Sequence, residues 1–185
     1  MLLELLISMV VLTVGLGGLL ILMISAMYTD KRAGSDTAST MIAEHVLEQI
    51  SAQPASTNVP LSITDCAGNV LAINTAGAPL NGGSGANGGN GAALTVDPDA
   101  PLNAPSEVID WTQAFGNIPA GYALQYVACG GPLSGRQETY EIRWDIITLS
   151  TYARMVFISA RPASTAANGG LRFIMPTTLR TIDGS

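Results

Sequence analysis

Charge is scarce in this chain, and basic charge is the scarcer kind. Asp, Glu, Lys and Arg make up 12% of 185 residues, and eight basic side chains against fourteen acidic ones leave a net charge of -6. The only adjacent basic pair is Lys31-Arg32, and the remaining Arg are scattered beyond it. A nucleic-acid partner needs a basic patch to neutralise its phosphates, so no nucleic-acid contact is expected. Histidine is nearly absent too. His45 stands alone among polar neighbours with no cysteine or paired carboxylate beside it, which reads as a surface or subunit-contact residue and not a metal ligand. The two cysteines, Cys66 and Cys129, lie far apart and outside any C-x-x-C spacing. They read as one disulfide in an oxidising compartment; the other reading is two buried free thiols in a reduced protein. Closing a loop that long stabilises by about 4 kcal/mol in the chain-entropy model. There is no Ser-His-Asp arrangement, no metal-ligand spacing and no nucleotide motif, so neither enzyme activity, a metal nor a cofactor is expected.

What the chain has in abundance is a hydrophobic head. From Leu5 to Met27 no residue is charged, roughly the length that spans a bilayer core. Exposing such side chains costs about 1.5 to 3 kcal/mol each, against a usual net domain stability of about 5 to 15 kcal/mol. The segment therefore needs lipid or protein around it. A cleaved secretory signal fits badly, because no Lys or Arg precedes the run, the run is too long, and no A-x-A site follows. A plain membrane anchor leaves Glu4 unexplained, since a carboxylate at membrane depth is usually paired or functional. The nearest certain cation is an α-amino group at the chain start, within one chain or on a neighbour. That pairing calls for a mature N-terminus close to Met1, made by cleavage ahead of the apolar run. Gly15, Gly17 and Gly18 lie inside the run. Each costs about 1 kcal/mol relative to Ala in a helix, so they mark a weak point, a site of close helix packing, or both.

Beyond Met27 the helical pattern continues in amphipathic form. Ile42, Val46 and Ile50 recur every fourth residue with Ala43 and Leu47 alongside, while Glu44, Glu48 and Gln49 lie off the stripe. Pro54 disfavours helix at Gln53, so the helix should stop near Ser51. At 1.5 Å per residue it would be roughly 75 Å long. The expected organisation is a hydrophobic half-helix over 1–27, an amphipathic half over 28–53 and a globular head over 54–185.

Within the head, residues 55–135 are rich in Pro, Gly, Asn and Ala. N-G-G-S-G-A-N-G-G-N-G at 81–91 reads as a flexible loop; it lacks the G-K-[ST] of a phosphate loop. D-P-D at Asp97 and Asp99 reads as a turn and not a calcium site, because no further ligand spacing supports one. Short strands are expected near Leu61 and Val70. The strongest β signal is Y-E-I-R-W-D-I-I-T-L-S-T-Y-A-R-M-V-F-I-S-A. Tyr140, Ile142, Trp144 and Ile146 alternate with Glu141, Arg143, Asp145 and Ile147, giving one buried and one mostly polar face. A turn near Ser150 makes the next strand an antiparallel neighbour, and L-R-F-I-M and T-L-R-T-I add one or two more. The fold class expected is α+β, with the amphipathic helix covering the apolar face of the sheet.

L-L-E-L-L-I-S-M-V-V-L-T-V-G-L-G-G resembles the N-terminus of type IV pilins and the related pseudopilins. The resemblance implies cleavage by a prepilin peptidase after a Gly, methylation of the new N-terminal residue, and an acid as the fifth mature residue. It therefore implies one further residue, a methylated Phe, ahead of Met1, or else a departure from the family pattern at Met1 and Glu4. It also implies the pilin fold, and a glycine region at Gly15, Gly17 and Gly18 that unwinds in the filament. The C-terminal hairpin, with aromatic-x-aliphatic-x-Trp and a Val/Ile-rich second strand, resembles that of the minor pilins called type IV pilus modification proteins. The function implied is a structural subunit of an extracellular filament on a bacterial cell surface. Its partners would be like subunits, the inner membrane before assembly, the peptidase and the pilus machinery. A type II secretion pseudopilin and a membrane-tethered binding or adhesin domain are the alternatives. No particular family disulfide is carried over to Cys66 and Cys129.

Overall fold

A computed structural model of the chain describes residues 2–80, 88–96, 105–129, 137–163 and 177–184. It divides into two compact units, 1–37 and 38–185. Helix α1, Leu2–Ser51, is continuous and contributes to both. It ends at Ser51, where the approach of Pro54 to the chain predicts. Its last turns bury Ala43, Val46 and Ile50 completely, with Ile42 and Leu47 half-buried beside them. His45 is exposed.

The head is built on an antiparallel sheet. Strand β1 (Leu61–Thr64) pairs β2 (Val70–Ile73) as a separate hairpin, and β4 (Leu94–Val96) pairs β5 (Pro105–Ile109) as another. The main sheet holds β3 (Asn90–Gly91), β6 (Ala123–Ala128), β7 (Glu138–Ser150), β8 (Ala153–Pro162) and β9 (Thr177–Gly184). Strand β7 is its spine. One edge pairs β8 along its length. The other edge pairs β6 over Glu138–Arg143 and β3 over Asp145–Ile146, and Ala78 bridges Ile147 just beyond. The expected strands near Leu61 and Val70, the turn near Ser150 and the strand containing T-L-R-T-I are all present. L-R-F-I-M, the Asp97 and Asp99 turn, and residues 81–87 of the glycine stretch lie outside the described residues.

Two expectations need correction. The glycine stretch is not loop throughout, because Asn90 and Gly91 pair with β7 as β3. Gly91 permits this at φ +146, where an added Cβ would meet the Trp144 carbonyl at 2.3 Å. The polar face of β7 is also buried. Glu141, Arg143 and Asp145 are 4%, 2% and 0% exposed. Register places the two faces clearly. Trp144 with Ile158 and Ile146 with Val156 form apolar rows; Glu141 with Arg161, Arg143 with Ser159 and Asp145 with Phe157 form the other face. Strand β5 packs on β7, β8 and β9, and the Asp110–Gln113 turn that follows it supplies partners to the polar row.

Candidate functional site

The N-terminal part of α1 carries the residues singled out in the sequence. Its large apolar side chains are exposed all round: Leu3, Val14 and Ile21 are 75%, 71% and 70% accessible. By length and composition the helix is capable of crossing a membrane. The hydroxyls of Ser8, Thr13 and Thr29 turn back on the helix. Ser8 donates to the Glu4 carbonyl, Thr13 to those of Met9 and Val10, and Thr29 to that of Ser25. Those hydroxyls thus have partners without water, which suits an apolar surround. Glu4 sits in the first turn of α1, where an acid opposes the positive end of the helix dipole. Met1 lies outside the described residues. The helix runs unbroken through Gly15, Gly17 and Gly18, and a Cβ at any of them would meet nothing within 4 Å. Nothing within one molecule requires glycine there.

The head holds three polar constructions that stabilise it. Cys66 and Cys129 form a disulfide across a sequence separation of 63. Beside it, Asp65 accepts hydrogen bonds from the amides of Ala67, Asn69 and Val127 and from the Asn69 side chain. Burial pushes its carboxyl up, but those donors outweigh burial and hold it below the usual carboxylate value. The Cys66 amide meets the Val127 carbonyl at 3.0 Å. The β1–β2 hairpin is thereby fastened to the end of β6.

The second construction is Arg154. It is 1% exposed, and its guanidinium donates to the carbonyls of Ile50, Gln53 and Thr75. A helix leaves its last carbonyls without intrahelical donors, and a cation there also opposes the negative end of the dipole. Arg154 is at once the C-terminal cap of α1 and its tie to β8. The third construction centres on Trp111. Arg143 and Arg161 lie over its ring at 4.5 and 4.1 Å from the centroid. Glu141 receives both guanidiniums, Arg143 also reaches the carbonyls of Asp110 and Gln113, and the Trp111 indole N–H donates to Ser159. Charges this deep persist only when paired and hydrogen-bonded.

None of Arg154, Trp111 or the buried role of Glu141 and Arg143 is evident in the sequence reading. The available signal was an Arg inside the Val/Ile-rich strand β8 and the acid–base alternation of β7, which looks like a solvated face until the cover is known. Among the described residues, no group of three or more His, Cys, Asp or Glu lies together. No family model matches the chain, and neither curated proteins nor solved structures give a match.

Proposed function

We propose that the chain is a structural subunit of an extracellular type IV pilus-like filament on a bacterial cell surface. The observation that carries this reading is the N-terminal part of α1: apolar on every side, headed by a single acid, with the hydroxyls of Ser8, Thr13 and Thr29 bonded back to the helix. Such a helix is stable only against lipid or against other protein, copies of itself included. The subunit waits in the inner membrane, is trimmed by a prepilin peptidase, and passes through pilus machinery into a bundle of like helices. Small residues at Gly15, Gly17 and Gly18 have no packing duty within the molecule, so they are available for close approach of a neighbour. Glu4 sets the register between subunits, because a carboxylate misplaced in an apolar bundle is heavily penalised. The head, with its disulfide and buried ion network, faces the exterior, and no catalytic role is assigned to it.

Glu4→Ala is the test. Surface filaments containing the variant should fall to a small fraction of the wild-type amount, while the Cys66–Cys129 disulfide and the head's near-UV circular dichroism stay unchanged. Normal filaments from the variant would remove the register role. A wild-type chain found only in the membrane fraction would favour a tethered binding domain.

A further inference from the structure

Asp145 is a buried acid of the described head whose surroundings do little for its charge: the Ile146 amide lies near but makes no full hydrogen bond to it. It is 0% exposed, and neither carboxylate oxygen has a hydrogen-bond partner. What lies against it is a backbone turn. A Cβ on Gly89, which has φ +82, would fall 2.1 Å from Oδ2 of Asp145. Gly89 is held there by its amide to the Pro79 carbonyl at 3.3 Å, and Ala92 by its amide to the Trp144 carbonyl at 2.9 Å. Between them Gly91 sits opposite Asp145 in the β3–β7 register.

Among the described side chains, the neighbours offer no compensating charge. On β7, Arg143 lies on the same face but is committed to Glu141 and to the carbonyls of Asp110 and Gln113. Across on β8 the same face presents Met155, Phe157 and Ser159, with Arg161 engaged by Glu141. Arg180 of β9 stands in the same cross-strand row beyond Phe157. The turn itself is Gly88, Gly89, Asn90 and Gly91. Strand β5 ends at Ile109, followed by Asp110. Tyr122, whose hydroxyl donates to the Ala76 carbonyl, has its ionisation pushed up first by burial and then by repulsion from the Asp145 charge.

We propose that the Gly88–Gly91 turn is a charge-gated latch, closed over Asp145 while that carboxyl holds its proton and lifted to admit water once the proton leaves. The proton passes to solvent, and the carboxylate exchanges a dry pocket for hydration. Lifting the turn takes β3 off β7 and loosens the bond from the Ala92 amide to the Trp144 carbonyl, opening a short gap in that edge of β7, while the Ile146 carbonyl stays bonded to the Ala78 amide. Burial supports the proton-bound closed state: it pushes the carboxyl from 3.8 up to about 7, against a smaller downward pull from the Ile146 amide.

The test is amide hydrogen exchange of the full chain in detergent, from pH 5 to 8.5, corrected for intrinsic exchange and read on peptides covering Gly89–Ala92. Opening of this segment should increase by about tenfold per pH unit and roughly a hundredfold in all before levelling off above neutral pH. Amides at the centre of β8, such as Ile158, should not follow. Asp145→Asn should keep the segment protected at every pH. Gly89→Ala, which puts a Cβ into the carboxylate, should leave it open at every pH. A flat wild-type profile, a pH slope surviving in Asp145→Asn or in Gly89→Ala, or β8 opening in step with the turn would each overturn the latch.

Discussion

Arg154 gives one guanidinium to the carbonyls of Ile50, Gln53 and Thr75. Removing it strands buried acceptors at the end of α1, each worth about 1 to 3 kcal/mol unsatisfied. Arg154→Met should therefore destabilise the head by about 3 kcal/mol, read as a shift in the thermal transition. Arg154→Lys should recover only part, because an ammonium lacks the planar fork. Two acids act with opposite signs on pH. The Asp65 carboxyl is held low, so its contribution is complete above 3.8 and is lost as pH falls through its folded value. The Asp145 carboxyl is held high, so the folded head binds its proton more tightly than the unfolded chain does. Stability should then fall as pH rises from 3.8 to about 7 and stay level beyond. Thermal melts of Asp145→Asn should lack that fall, exceed wild type at pH 8 by up to about 4 kcal/mol at about 1.4 kcal/mol per pKa unit, and match it near pH 4. A wild type as stable at pH 8 as at pH 5 would contradict this.

At the scale of elements, the long strands were the legible part. The alternation of Tyr140, Ile142, Trp144 and Ile146 with polar residues, and the Val/Ile-rich partner after Ser150, specify β7 and β8 locally, because side chains on opposite faces of a strand alternate with a period of two. The last turns of α1 were legible at their own period through Ile42, Val46 and Ile50, its first half through an uncharged run long enough to span a bilayer, and Pro54 fixed its end. The buried polar face was not legible. Its cover is the Asp110–Gln113 turn, some thirty residues earlier in sequence, and no local pattern announces that Trp111 will lie against Arg143 and Arg161. Strand β3 was hidden as well, since two residues in a glycine-rich run carry no alternation. The β1–β2 hairpin depends on its fastening: the disulfide, Asp65 and the Cys66 amide. Reducing the disulfide should lower stability by about 4 kcal/mol in the chain-entropy model. Hydrogen exchange should quicken in β1 and β2 before it does in β7 and β8. An unchanged melting temperature under reductant would show the polar contacts sufficient without the bond.

On the scale of the whole molecule, the sequence and structure pose one demand. The N-terminal part of α1 exposes its apolar side chains in every direction, whereas the described residues of the head unit gather their own core and carry the disulfide. Lipid meets that demand for a single chain; a bundle of like helices meets it for many. The presence of Gly15, Gly17 and Gly18 where a Cβ would meet nothing, and of Glu4 at the head of the run, favours the bundle as the final state. The most direct measurement is helical reconstruction by electron cryo-microscopy of material sheared from the cell surface and shown by mass spectrometry to contain this chain. A filament whose core is packed with copies of residues 2–37, with Glu4 buried against the start of a neighbouring chain and the disulfide-bonded heads outside, is the predicted result. Absence of the chain from every sheared filament, with all of it retained in the membrane, would contradict assembly and leave a tethered domain in its place.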